Sequence, residues 1–150
     1  MSSSVIAALG LSSATPNRIP ITTNMHDPNL IVLHNHVHLA VLVDGRNIII
    51  PANIGIDPPL YRDHLMDIYG TLNPQVAPLH THSNDGVIHI ESNKVHEFSL
   101  GQFLDIWGLD FGISKSVKMT VNGIDVDTIA YDYRKYLLQD GVSIVLEFGS

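Results

Sequence analysis

Nine histidines lie between His26 and His96, and six of them form a pattern suited to holding a metal ion. His34, His36 and His38 alternate with Asn35 and Val37; His80 and His82 flank Thr81; His89 follows beyond Asp85-Gly86. Side chains on a strand point alternately to its two faces. His34, His36 and His38 therefore share one face, and Val37, Leu39 and Val41 share the other. In the segment Pro78-LHTHSNDGVIHIES, Asp85-Gly86 is a hairpin signal. A two-residue turn there sets His82 against His89 and His80 against Glu91. A four-residue turn over Ser83–Gly86 sets His80 against His89. Either register leaves His80, His82 and His89 on one face. Opposed Cβ atoms lie about 4.5–5.5 Å apart, so imidazoles from such a pair can reach one ion at about 2.0–2.1 Å from each nitrogen.

The candidate ligands are His36 or His38 together with His80, His82 and His89. Imidazole suits zinc, copper, nickel and iron, and copper stands highest in the divalent affinity order. With no Cys and four Met, the chain lacks the thiolates and thioethers of a dedicated Cu(I) carrier. Glu91 and Asp85 are the nearest carboxylates, each fit to be a ligand, a partner fixing a histidine tautomer, or a base for a metal-bound water. The competing expectation is a polar sheet face whose imidazoles only hydrogen-bond or titrate. Two alternating runs plus His89, all of matching parity, outweigh it. His64, between Asp63 and Asp67, reads as part of a solvated helix face. His26 and His96 read as solvated too, and Trp107 as core.

Short elements must position these residues. Leu30 to Ile50 reads as a hairpin turning at Asp44-Gly45. Leu60 to Tyr69 reads as a short helix. The 78–92 hairpin follows, then a helix from Phe98 to Gly108 with Ser99 as N-cap, one apolar face at Leu100, Phe103, Leu104 and Trp107, and Gly108 as its stop. Val117 to Val126 is a hairpin through Asn122-Gly123. Tyr131 to Leu138 gives a turn of helix, and Asp140-Gly141 leads into a last strand. Runs of strands with isolated helices indicate an α+β fold, a β-rich single domain of hairpins with one main helix and a β-grasp-like order.

The 150 residues carry a net charge of −7, with 45% apolar and 15% charged residues. That composition excludes a disordered chain. The eight basic residues are scattered and outnumbered, which disfavours nucleic-acid binding. The absence of Cys removes disulfides, iron–sulfur clusters and blue-copper centres. No nucleophile elbow or phosphate-binding loop occurs. Residues 1–29 read as a flexible arm or the remnant of a signal or anchor, with an apolar Val5 to Leu11 but no Lys or Arg before it. Residues 30–150 read as the domain.

Leu79-HTHSNDGVIHIES, followed by Phe98-SLGQFLDIWG, resembles a poorly characterised prokaryotic family with the patterns LHTHD-x-x-GxIHxE and FTLGQFFDxWG. The resemblance runs over roughly residues 30–149 and includes the His-rich first strand and the IPANIGI segment. It implies an archaeal, exported or membrane-tethered protein, and shared histidines at His36, His38, His80, His82 and His89. It implies no reaction. Where members carry Asp after the HTH segment, this chain has Ser83, with its next acid at Asp85.

Three functions compete. The first is copper or zinc binding by the histidine cluster, serving extracytoplasmic metal binding or delivery. The second is a metal-dependent enzyme, with His80, His82 and His89 as ligands and Glu91 or Asp85 as base, acting as a zinc hydrolase or hydratase or in copper redox chemistry. The third is an interaction subunit of a membrane complex or a homo-oligomer, its histidine face forming a pH-sensitive or metal-bridged contact.

Overall fold

A computed structural model describes residues 27–110 and 116–149. The expectations for the arm before Asp27, and for His26, lie outside the described residues. Seven strands form one mixed sheet: β1 (Leu33–Val43), β2 (Arg46–Ile48), β3 (Leu79–His80), β4 (Val87–Ser92), β5 (Ser116–Val121), β6 (Ile124–Val126) and β7 (Ser143–Gly149). Among the described residues the single α-helix, α1, spans Leu100–Trp107. This is the β-rich α+β fold that the pattern of strands and isolated helices indicates.

The strand path is β3-β4-β1-β7-β5-β6, with β2 also pairing β1. β1 is the spine. Its first half pairs antiparallel with β4, its second half with β2, and it runs parallel to β7 on its other edge. Read as β2-β1-β7-β5-β6, with the parallel pair central, the order is β-grasp-like, and the β3–β4 hairpin is added beside the first half of β1.

One face of the sheet is dry. Val37, Leu39 and Val41 of β1, Ile88 and Ile90 of β4, and Ile144, Leu146 and Phe148 of β7 are buried there with Leu79 and Met119. Leu100, Phe103, Leu104 and Ile106 of α1 belong to the same core. Each such side chain stabilises the fold by about 1.5–3 kcal/mol relative to exposure. The helix begins at Ser99, whose Oγ accepts from the Gln102 amide while Gln102 Oε1 accepts from the Ser99 amide, and it ends at Gly108, at φ +87°. The opposite face of the sheet carries the alternate residues of β1 and β4, histidines among them. An antiparallel sheet with one packed face leaves the other to water.

One local expectation needs correction, and two others take a definite form. Leu60 to Tyr69 is not a helix; two 3-10 turns, Pro58–Leu60 and Asp67–Tyr69, replace it. There the Asp63 carboxylate takes the Leu65 amide, and the Arg62 amide donates to Ile106 instead of to its own segment. Short acidic side chains compete with helical bonds in this way. The turn of helix expected within Tyr131 to Leu138 is a 3-10 turn, Tyr133–Lys135, with Asp132 accepting from the Arg134 amide as its N-cap. Of the two registers expected for the 78–92 hairpin, β3 and β4 take the one that sets His80 against His89, with Leu79 against Ile90, so Asp85-Gly86 lies in a longer connection and is not a two-residue turn.

Candidate metal centre

Three neighbouring strands deliver the histidines. Between β1 and β4, His34 opposes Glu91, His36 opposes His89 and His38 opposes Val87. Between β3 and β4, His80 opposes His89. His36, His89 and His80 therefore form a row across β1, β4 and β3, and Glu91 sits in the adjacent row beside His34. His82 follows just beyond β3. The rings crowd one another: centroids lie 4.9 Å apart for His34–His36, 4.7 Å for His36–His89, 4.5 Å for His82–His89 and 4.8 Å for His80–His82.

Among the described residues two sets of three donors emerge, His34–His36–His89 and His80–His82–Glu91, each with its ligand atoms within 4.8 Å of one another. Glu91 stands between them. Its Oε2 lies 3.1 Å from His34 Nε2, and its Oε1 lies 3.2 Å from His80 Nε2. Bonds of about 2.0–2.1 Å in a tetrahedral site put neighbouring ligand atoms about 3.3 Å apart. The nitrogen–oxygen spacings on both sides of Glu91 already have that value to within a few tenths of an ångström. The remaining donors must swing closer, and exposed His34, His36 and His82 have room to do so.

His80 is the most informative member. It is 2% exposed. Its Nδ1 lies 2.7 Å from the Ala77 carbonyl oxygen, which can only accept, so Nδ1 carries the hydrogen. Burial pushes its pKa down, and the neighbouring His82 pushes the same way, against the Ala77 carbonyl and Glu91. Burial thus favours the neutral ring, whose lone pair is then at Nε2. That nitrogen is buried and has no hydrogen-bond partner. The Glu91 oxygen stands 3.2 Å away, at ion-pair distance. In the neutral form a buried nitrogen lone pair faces a half-buried carboxylate oxygen, and the two repel unless a cation lies between them. A backbone carbonyl holding Nδ1–H, so that Nε2 faces inward, is also how a metal-ligating histidine is usually oriented. Burial lowers the pKa of His89 as well, reinforced by His82, His36 and His80.

The structure brings His36, His80, His82 and His89 into these sets and adds His34 and Glu91. His38 belongs to neither. Its ring stands over Gly86, where an added Cβ would lie 3.1 Å from His38 Nε2, at the rim of a depression of 170 Å³ shared with Asn47, Ile49 and Asp85. Asp85 accepts from the Val87 amide, 3.0 Å away, and shapes the loop. Parity put His34 on the right face, but only the β1–β4 register sets it against Glu91. His64 is held by Asp67 at 2.9 Å and stacks on Tyr61. His96 is half-buried rather than solvated, stacked on Tyr69 and edge-on to Phe98.

Loop packing fixes β3. Thr81 is fully buried; its amide donates to Ile54, its carbonyl accepts from Asn53, and its hydroxyl accepts from the Ile54 amide and donates to Pro51. This stretch of the IPANIGI segment thereby closes the β3 edge next to His80 and His82. Compared with protein-family models, with curated proteins and with solved structures, the chain matches none.

Proposed function

We propose that the protein binds a divalent transition-metal ion, copper or zinc, on this face, and that it buffers or delivers the ion outside the cytoplasm. The observation that carries the reading is the buried, unpartnered Nε2 of His80 facing the Glu91 carboxylate. His80, His82 and Glu91 are the ligands of that ion. Exposed His82 gives it a route to and from solvent, which suits exchange. The resemblance of the His-x-His segments to an exported prokaryotic family supports the compartment.

A second reading is favoured by the donor count. Two histidines and one glutamate are the protein ligands of several hydrolytic zinc sites, which keep an open position for water. On that reading the zinc-loaded protein hydrolyses activated esters above the rate of free zinc, whereas a buffering protein does not.

The test is equilibrium dialysis of untagged protein against Zn²⁺ and Cu²⁺, followed by elemental analysis. Tight binding that His82→Ala weakens at least tenfold, with His64→Ala and His96→Ala unchanged, supports the proposal. Equal behaviour of all three variants, or no tight ion, overturns it.

A further inference from the structure

We infer that the face holds two divalent ions at once, the second on His34, His36 and His89, with the Glu91 carboxylate bridging the pair. The inference rests on the metal-binding reading above and extends it from one ion to two.

Four observations support a pair. The two donor sets share no residue, so one ion need not empty the site of the other. Glu91 turns one oxygen to each set: Oε2 to His34 at 3.1 Å and Oε1 to His80 at 3.2 Å. A carboxylate presented in this way is a bridge, and paired metal centres hold their ions about 3.5–4 Å apart. The row of His36, His89 and His80 across three adjacent strands keeps the sets in contact, since the His89 ring stands 4.7 Å from that of His36 and 4.5 Å from that of His82. The pairings of His34 with Glu91 and of His36 with His89 are strand register, so the frame is in place before any ion arrives.

Electrostatics decides whether two dications can coexist. They repel at such a separation, and neutral imidazoles do not offset that. Glu91 supplies a negative charge between them, and the chain's net charge of −7 lowers the cost of placing positive charge on its surface. Without the bridge the second ion should leave first. Its set is the more exposed one, with His34 and His36 both open to solvent, whereas the other set includes buried His80.

The probe is Cu²⁺ alone, titrated into the metal-free full chain and followed by elemental analysis and electron paramagnetic resonance. Two ions per chain, with the broadened, coupled spectrum of a close copper pair, is the expected result. His34→Ala, at an exposed position, should reduce the stoichiometry from two to one and leave the spectrum of an isolated copper. Glu91→Gln, which keeps the size of the side chain but removes its charge, should abolish the coupling. Saturation at one ion, lost in His82→Ala and unaffected by His34→Ala, overturns the pair and leaves the single site standing. Two ions with uncoupled spectra overturn the bridge. No tightly held ion overturns both the pair and the reading beneath it.

Discussion

Asp-Gly occurs three times in this chain, and the two copies that join antiparallel strands, Asp44-Gly45 and Asp85-Gly86, do different things. Asp44 and Gly45 both have positive φ, +50° and +79°, and join β1 to β2 in a two-residue turn that pairs Val43 with Arg46. Such turns match the twist of the strands they join. Asp85-Gly86 lies in a longer connection between β3 and β4. Gly86 also has φ +79°, but its carbonyl accepts from the Leu39 amide of β1 at 2.8 Å, and an added Cβ would lie 2.5 Å from the Leu39 carbonyl oxygen. At Gly45 nothing lies within 4 Å of that position. The first glycine serves only its own turn. The second is docked against a strand distant in sequence, and through it the register of the histidines is set.

Substitutions can break this comparison. Gly86→Ala should cost the most, about 2–5 kcal/mol, because backbone strain and the clash with Leu39 add. It should also weaken Cu²⁺ binding although Gly86 is no ligand; an urea titration and a copper titration of the same variant check both effects. Thr81→Val comes next. It removes the hydroxyl between Ile54 and Pro51 and leaves buried polar groups unsatisfied, so a loss of about 2 kcal/mol in urea unfolding is expected. Gly45→Ala should cost only about 1 kcal/mol and leave copper affinity unchanged, since strain acts there without a clash. Equal costs at Gly45 and Gly86 would contradict the distinction between them.

The smallest effect concerns pH. Burial lowers the pKa of His80 and His89 below the unfolded value of 6.5. Below pH 6.5 the unfolded chain therefore binds more protons than the folded one, and unfolding gains the difference. The metal-free protein should keep its stability above pH 6.5 and lose it progressively as pH falls from there through the lowered folded values. His80→Gln should flatten that dependence. Urea midpoints on either side of pH 6.5 give the readout.

Much of the scaffold was legible along the chain. Ser99 and Gly108 bounded α1 because capping is a matter of neighbouring residues, and Asn122-Gly123, at φ +52° and +81°, turned β5 into β6 for the same reason. Leu60 to Tyr69 departs from the expected helix, whereas Tyr131 to Leu138 holds the expected turn of helix as a 3-10 turn. The apolar spacing of Leu60 to Tyr69 was compatible with a helix, but Asp63 bonds the Leu65 amide that a helix would need, whereas Asp132 caps the 3-10 turn through the Arg134 amide. His38 illustrates the limit of parity: it lies on the same face as His34 and His36 but opposes Val87 of β4 and Ser143 of β7, with no histidine or carboxylate across from it.

The amino-acid order by itself determined which residues share a face, because alternation along a strand is a property of the backbone. It separated Val37, Leu39 and Val41 from His34, His36 and His38, and kept His80, His82 and His89 together in either register. Only the tertiary structure decided which of them meet. The pairing of β1 with β4 joins segments about fifty residues apart, and no local propensity encodes its register. That register follows from burying the apolar face against α1, from Gly86 docking on β1 and from Thr81 anchoring β3. Together these set Glu91 between His34 and His80 and left a buried nitrogen facing a carboxylate.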